Sequence, residues 1–413
     1  MAKTAFLILP LALASTALAS SALAAEPGLP DEASVATALD DHPSVAAARA
    51  RVNSAHADAR ARAAGPHEFT FSGSYVRRTV DREGEYDEYD AQVTRAIRLP
   101  GKASLDRDIG AFGIEAAENL AEDAKHQAAR MLAQAWWDWL GAAAEARIDT
   151  EATGNYRKAL AAVERRVELH DASPLEAEQA RAAVGSARVA AEQSTGRARL
   201  ARARLAAQFP SLALPGDPPE LPQPEVAEAD IQRYRDLVLT NSHEIAAAEA
   251  LAGRASSMAK RARRERIADP SLGVRLFSER GGMERGAGVV LSIPLGGGHR
   301  KALADQATAD AGAAAAEARL AHYDVQEMAD TDAAEARFRL EAWQRAREAL
   351  SAQQSVLGKL RRGHELGEVD LSDLLLGERA SHEAGRAETV ARTEAMRAIT
   401  RLRIDSHELW LTD

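Results

Sequence analysis

The sequence contains no cysteine among its 413 residues. Disulfide bonds, thiolate metal sites and thiol nucleophiles are therefore excluded, and no lipid anchor on an N-terminal cysteine is expected. Aromatic residues account for only 4% of the chain, which disfavours a large globular core because such cores depend on bulky rings. These absences favour long helices that pack closely through small side chains.

Long apolar runs are also missing beyond the first residues. The segment MAKTAFLILPLALASTALASSALAAEP places Lys3 before an apolar run that ends in small residues, a pattern typical of a secretory signal peptide. We predict that residues 1–25 form this peptide, with cleavage at Ala24 or Ala25. No later run reaches the roughly 18 apolar residues of a membrane helix. The exported chain is therefore expected either to be soluble or to cross a membrane as β-strands.

Charge and motifs exclude several functions. Loss of Lys3 with the signal peptide changes the formal net charge from −10 to −11, and an acidic chain binds phosphate backbones poorly, so no nucleic acid partner is expected. The chain has no G-x-S-x-G or H-E-x-x-H motif, and its two closest histidines, His56 and His67, are 11 residues apart. We therefore predict no catalytic centre, no metal site and no cofactor.

Prolines mark where long helices are permitted, because proline breaks a helix interior. The predicted helices span residues 44–65, 102–169, 174–208, 228–267, 299–365 and 370–409. The stretch FPSLALPGDPPELPQPE concentrates prolines near the middle of the chain, and we interpret residues 210–225 as an extended linker.

The two halves resemble each other in sequence order. QVTRAIRLPGKASLD parallels VVLSIPLGGGHRKALAD, and HPSVAAARA parallels HEIAAAEA. Matches in the same order predict an internal duplication. Each repeat would contain a helix, a β-hairpin, a long helix and a shorter helix. The first repeat would span 26–209 with its hairpin at 67–99, and the second 226–413 with its hairpin at 270–295.

The predicted hairpins alternate apolar and polar residues, as Phe69, Phe71 and Tyr75 do in HEFTFSGSYVR. This period of two indicates β-strands, and about 10 residues suffice to cross a bilayer when tilted. A sheet in lipid must close, and the smallest membrane barrels have about eight strands. Four strands per chain would need strands from other copies, either two chains or three. Two surface hairpins on a periplasmic helical scaffold would show the same alternation.

Several features together resemble the TolC-like family of outer membrane efflux proteins, also called outer membrane factors. They are the signal peptide, the two repeats, the junctions IRLPGK and IPLGGGHRK, and the turn GHELGEVDLSDLL. The short chain and the LPGK junction look like the heavy-metal efflux branch. The resemblance implies a mainly α fold with a transmembrane β part. Long coiled-coil-like helices would form a trimeric α-barrel, and four strands per chain would contribute to a shared twelve-stranded outer-membrane β-barrel.

The resemblance also implies a function without enzyme activity or a cofactor. A homotrimer would be the exit duct of a tripartite efflux system in the outer membrane of a Gram-negative bacterium, with a large periplasmic part. Metal cations or drugs would arrive from an inner-membrane pump of the resistance-nodulation-division type through a periplasmic adaptor (membrane fusion) protein, and outer-membrane lipid would surround the barrel. A type I secretion duct and a periplasmic coiled-coil scaffold or adaptor remain alternatives.

The resemblance places a periplasmic constriction at the turn before residue 370. Asp370 and Asp373 are three residues apart and share one helical face, and a trimer would form rings of carboxylates that attract cations. Ordinary helix capping is the alternative. His364 falls near the position of the family's aromatic gate. Gly367 belongs to the same turn.

Two further sets of residues are predicted to shape the backbone. In the first-repeat turn, Ser173 would cap a helix whose first position is Pro174. VVLSIPLGGGHRKALAD has the strand, glycine and helix order of a phosphate loop, but the G-x-x-x-x-G-K-[ST] pattern is absent. We interpret it instead as a strand-to-helix junction. The junction residues of the two repeats are Pro100, Gly101, Pro294, Gly296, Gly297 and Gly298.

Overall fold

The computed structural model describes residues 27–411, so the predicted signal peptide lies outside the described residues. The helices are α1 (Glu32–Asp40), α2 (Pro43–Ala64), α3 (Lys102–Glu168), α4 (Pro174–Gln208), α5 (Glu228–Thr240), α6 (His243–Glu265), α7 (Gly298–Glu365) and α8 (Leu371–Asp405). The strands are β1 (Phe69–Val80), β2 (Gly84–Ala96), β3 (Ser271–Glu279) and β4 (Glu284–Ser292), with a short 3₁₀ turn at Arg280–Gly282.

Two helices, rather than the single predicted helix, precede each hairpin. Helix α1 was not predicted, and the prediction of one helix over 228–267 was wrong because α5 and α6 are separate. The break follows α5, where Ser242 Oγ accepts a hydrogen bond from the Ile245 N–H at 3.2 Å and so begins a new helix. His42 and Pro43 divide α1 from α2 in the same way. The order helix, helix, hairpin, long helix, shorter helix thus occurs twice, while the boundaries of the two repeats stay a prediction.

Two very long helices set the dimensions of the molecule. α3 has 67 residues and α7 has 68, which corresponds to about 100 Å each at 1.5 Å per residue. α4 packs back along α3 and α8 along α7, while α2 and α6 pack against the other end of α3. Within residues 27–411, no helix is both long enough and apolar enough to cross a membrane.

The strands form one antiparallel sheet in the order β1-β2-β3-β4. β2 and β3 come from different halves of the chain, and their pairing joins Val93 to Val274. The sheet lies at one end of the helices, because every strand is connected to a helix through the junctions before α3 and α7 and after α2 and α6. The two hairpins therefore form a continuous surface of four strands.

The central core, defined by Trp136, Trp137 and Trp139 of α3, lies partway along the helices. All three rings are buried. The Trp136 Nε1–H donates to the Gly28 carbonyl at 2.7 Å, and the Trp137 Nε1–H donates to Thr400 Oγ1 at 3.0 Å. Further buried residues of this core are Val35 and Leu39 of α1, Leu212 and Leu221 of the proline-rich segment, and Trp410. The proline-rich segment therefore packs on the core, and its role as a linker between two repeats stays a prediction.

Candidate functional site

One face of the sheet is apolar across all four strands. The register aligns Phe71, Val93, Val274 and Val289 in a single row. Phe71 is 72% exposed and Val289 is 76% exposed. Neighbouring rows on this face hold Phe69, Leu272 and Leu291, and also Ala91, Leu276 and Ala287. An exposed apolar patch that crosses a whole sheet indicates contact with lipid or protein rather than water.

Aromatic and basic side chains border this apolar face. At the outer end, the rings of Tyr75 and Tyr89 pack with their centroids 5.4 Å apart. At the helical end, the guanidinium of Arg95 lies 4.9 Å from the centroid of the Phe69 ring. Aromatic girdles and basic residues that reach toward water are typical of the edges of a membrane-spanning band.

The opposite face of the sheet carries most of its polar side chains, although Phe277 and Val290 also lie on it. Its central row runs through Ser72, Gln92, Arg275 and Gly288. Arg275 forms an ion pair with Asp90 of the neighbouring strand. An apolar outer face and a polar inner face, alternating residue by residue, are the pattern of a strand in a water-filled membrane barrel.

The strand-to-helix junctions turn the chain at glycines. Gly101 precedes α3 with a φ of +82°, a left-handed conformation that favours glycine. In the second repeat, Gly297 precedes α7 and Gly298 is its first residue. A Cβ atom at Gly296 would lie 2.8 Å from the Arg266 carbonyl oxygen, so a larger residue there would force the end of α6 away. Pro100 and Pro294 sit between the strands and these glycines.

A buried charge network, which the sequence analysis missed, secures these junctions. Lys102, at the start of α3, is 1% exposed. Its Nζ lies 2.8 Å from Asp269 Oδ1 and 3.0 Å from Glu265 Oε2. Burial opposes the charge on Asp269, but hydrogen bonds with Lys102, the Leu99 N–H and His67 together outweigh burial and lower the pKa of Asp269 to about 2. Sequence spacing alone could not reveal a contact between residues more than 160 positions apart.

The turn between α7 and α8, here called the second tip, ends α7 in a Schellman motif. Gly367 has a φ of +76°, its N–H donates to the His364 carbonyl at 3.1 Å, and the Glu368 N–H donates to the Gly363 carbonyl at 2.9 Å. The His364 ring lies with Nδ1 2.9 Å from the Val369 carbonyl oxygen. His364 therefore stabilises the turn, and a role of its ring in a gate stays a prediction.

Asp370 and Asp373 occupy different positions at this tip. Asp370 is the N-cap of α8, and its Oδ1 accepts a hydrogen bond from the Asp373 N–H at 2.9 Å. Both residues are exposed. Asp370 thus performs the capping role that the sequence offered as an alternative, and its charge also remains available to solvent.

The turn between α3 and α4, here called the first tip, has the same geometry with different side chains. His170, with a φ of +58°, takes the place of Gly367. Ser173 caps α4 and forms a reciprocal capping box with Glu176, and Pro174 is the first residue of the helix. Ser173 therefore occupies the cap position and Pro174 the first helical position, as the sequence predicts.

A cluster of buried charged groups lies beside the central core and was also missed. His126 is 2% exposed, with Nε2 2.8 Å from Asp405 Oδ1 and Nδ1 3.6 Å from Glu244 Oε1. Burial opposes a charge on His126, yet the hydrogen bond to Asp405 and the nearby Glu244 carboxylate raise its pKa to about 9. Burial and the neighbouring Asp405 carboxylate raise the pKa of Asp332 to about 7.

Three solved structures with this fold are outer-membrane proteins. VceC of Vibrio cholerae has a TM-score of 0.75 at 17% identity, over 91% of this chain and 95% of that one. The outer-membrane channel OprN has a TM-score of 0.74 at 18% identity, over 92% and 90%. The MtrE outer membrane channel of Neisseria gonorrhoeae, solved in its open state, has a TM-score of 0.71 at 17% identity, over 92% and 89%.

The fold is that of TolC-like channels, with helices that extend from a strand-built end. Residues 35–208 match the model of the outer membrane efflux protein family. A comparison with curated protein sequences gives no match. The match over residues 35–208 and the shared fold agree with the resemblance to outer membrane efflux proteins that the sequence predicts.

Proposed function

We propose that this protein is the outer-membrane exit duct of a tripartite efflux system. The observation that carries the proposal is the exposed apolar row Phe71, Val93, Val274 and Val289 with the polar row Ser72, Gln92, Arg275 and Gly288 behind it. Lipid outside and water inside account for both rows at once. A periplasmic scaffold with exposed hairpins would leave the apolar row in water, which disfavours that alternative.

Closure of the sheet supports assembly as a homotrimer. Within the described residues, β1 and β4 each pair with a single strand, so both edges of the sheet are open. Open edges are not tolerated in lipid, and three copies of a four-stranded sheet close as twelve strands. α7 carries exposed apolar side chains along its length, at Leu303, Leu320, Tyr323 and Phe338, which contacts between copies would cover.

The tips are the proposed contact with a periplasmic adaptor protein, through which an inner-membrane pump of the resistance-nodulation-division type would deliver its substrate. Leu169 at the first tip is 62% exposed, and Leu366 at the equivalent position of the second tip is 57% exposed. Each is the residue that follows a long helix. Apolar side chains at the end of each α-helical pair offer anchors for a partner's helices.

The second tip is the proposed constriction. Asp370 and Asp373 are exposed on one face at the start of α8. In a trimer they would supply six carboxylates around the axis, which favour cations at the entrance. His364 would position these carboxylates by its contact with the turn.

The substrates are proposed to be metal cations or drugs, as in the heavy-metal branch that the LPGK junction resembles. An acidic entrance favours cationic substrates over anionic ones. Export of a polypeptide through a type I secretion system would use the same duct, and a deletion strain distinguishes these possibilities. Sensitivity to metals or drugs supports efflux, and loss of a secreted protein supports secretion.

Membrane fractionation and conductance test the proposal. The full chain is expressed with its signal peptide, extracted from outer membranes in detergent and reconstituted into planar bilayers. We expect a complex of three chains and stable, cation-preferring channels. Recovery of the protein only from the soluble periplasm, or from membranes without any conductance, would contradict the proposed duct.

A further inference from the structure

Three potential metal ligands meet where α6 begins against α3. Asp123 and His126 are three residues apart on α3 and share one face of the helix, and Glu244 lies in the first turn of α6. One ligand atom of each residue lies within 4.8 Å of the other two. The distance of 3.6 Å from His126 Nδ1 to Glu244 Oε1 is near the ligand separation of about 3.3 Å in a tetrahedral zinc site.

His126 presents a buried nitrogen to this cluster. Its Nε2 lies 2.8 Å from Asp405 Oδ1, and its Nδ1 is buried without a hydrogen-bond partner among the described residues. In the tautomer that donates from Nε2 to Asp405, Nδ1 carries a lone pair directed at the two carboxylates. A carboxylate on the far nitrogen is the usual way in which proteins orient a metal-binding histidine.

Both carboxylates are oriented by neighbouring side chains. The Ser242 hydroxyl donates to Glu244 Oε2 at 2.9 Å, and the Gln127 amide donates to Asp123 Oδ1 at 3.2 Å. The other oxygen of Glu244, Oε1, is the atom that lies 3.6 Å from His126 Nδ1. Burial and the nearby charge of Glu244 raise the pKa of Asp123, which is the expected effect of two acids that face each other without a cation.

We propose that Asp123, His126 and Glu244 bind one divalent transition-metal cation of the Zn²⁺ class per chain. One imidazole nitrogen and two carboxylate oxygens suit zinc and its neighbours, and three protein ligands leave a fourth position for water. The ion joins α3 to the start of α6 and, through Asp405, to the end of α8. It is a structural link in a chain that has no cysteine for disulfides, and it does not depend on transport.

The test uses the full chain purified in detergent and freed of metal with EDTA. Isothermal titration with Zn²⁺ compares the wild type, the double variant Asp123→Asn with Glu244→Gln, and the control Glu249→Gln. Glu249 is an exposed acid on the same helix, paired with His322 at 2.9 Å. Both changes in the double variant preserve side-chain size, so the helices keep their packing.

We expect one Zn²⁺ per chain in the wild type and in the control, with binding at least about 100-fold weaker in the double variant, as loss of two ligands implies. Co²⁺ serves as a second probe, and its visible absorption should report four-coordination in the wild type and vanish in the double variant. Absence of saturable Zn²⁺ binding to the wild type, or equal affinity in the double variant, would overturn the proposed site.

Discussion

The sheet and the region of the central core differ in which side chains they expose and which they bury. In the sheet, Phe71 and Val289 are exposed although they are apolar. Beside the central core, His126, Asp332 and Asp405 are buried although they are charged or polar. Buried charges are tolerated where neighbouring side chains pair with them, whereas an exposed apolar surface is favourable against lipid and unfavourable against water. The exposed apolar face of the sheet therefore accords with the proposed contact with lipid. Each region can be disturbed without the other, which makes the contrast testable.

The largest effect is expected from a charge on the apolar face of the sheet. Val93→Arg places a guanidinium in the row shared with Val274, at a cost of about 2–4 kcal/mol per chain near the bilayer midplane. We expect loss of the protein from the outer membrane, measured by fractionation. Gln92→Arg is the matched control, because residue 92 precedes it on the same strand and faces Ser72 on the polar side. If both variants are lost from the outer membrane to the same extent, the assignment of lipid to the Val93 face alone is contradicted.

A large effect on helix packing is expected at Trp137. Trp137→Ala removes a fully buried ring, and such truncations cost about 3–5 kcal/mol. Trp137→Phe retains most of the volume but loses the hydrogen bond to Thr400, at a cost of about 1 kcal/mol for the bond. Chemical denaturation in detergent measures both. A Trp137→Ala variant as stable as the wild type would contradict the role of the central core.

The buried charges predict that stability depends on pH. The pKa of His126 is about 9 in the folded chain and its ordinary value is about 6.5, so its contribution is complete below pH 6.5 and is lost as pH rises through 9. Glu244, with a pKa of about 2, contributes above its ordinary value of about 4.5 and loses its contribution as pH falls through 2.

Thermal unfolding in EDTA should therefore show a lower midpoint at pH 9 than at pH 6.5, because the free energy of unfolding falls by an amount on the order of 2–3 kcal/mol. His126→Gln should remove this dependence. His322→Gln should keep it, because His322 lies at the surface and pairs only with Glu249 among the described residues. If the pH dependence of stability persists in His126→Gln, other titrating groups cause it.

The smallest effect on stability is expected at the second tip, where capping and charge can be separated. Asp370→Ala removes the hydrogen bond to the Asp373 N–H and should cost about 1 kcal/mol. Asp370→Asn retains the cap but loses the charge. If the tip is a constriction, Asp370→Asn with Asp373→Asn should raise the conductance of the reconstituted channel and weaken its block by divalent cations. Unchanged block would leave capping as the role of Asp370.

Much of the fold is readable in the sequence because it depends on local signals. Prolines and capping residues bound the long helices, so that the helix predicted over 174–208 agrees with α4. Alternation located the strands, and the glycines located the junctions. The failures have a local cause as well. No proline marks the break at Ser242 in the second repeat, so the cap within an apolar pattern was overlooked. The short helix α1 in the first repeat was missed as well.

The buried polar contacts could not be predicted, because they join distant parts of the chain. Lys102 and Asp269 look like ordinary surface charges in sequence, and only the pairing of the two halves brings them within 2.8 Å. The same holds for His126 and Glu244, which lie on different helices. The spacing of Asp123 and His126 was the one local signal, since residues three apart share a helical face. That signal is too common in acidic helices to indicate a metal site alone.

Disulfide cross-linking between copies most directly tests whether the open sheet is one third of a barrel. The absence of native cysteine makes every cross-link attributable. Ser72→Cys on β1 is combined in turn with Gly288→Cys, Val290→Cys or Ser292→Cys on the same face of β4, and outer membranes are oxidised. A barrel closed by three chains predicts covalent dimers and trimers at one of these registers, with none larger. No cross-link at any register, or a ladder that continues beyond three chains, would contradict it.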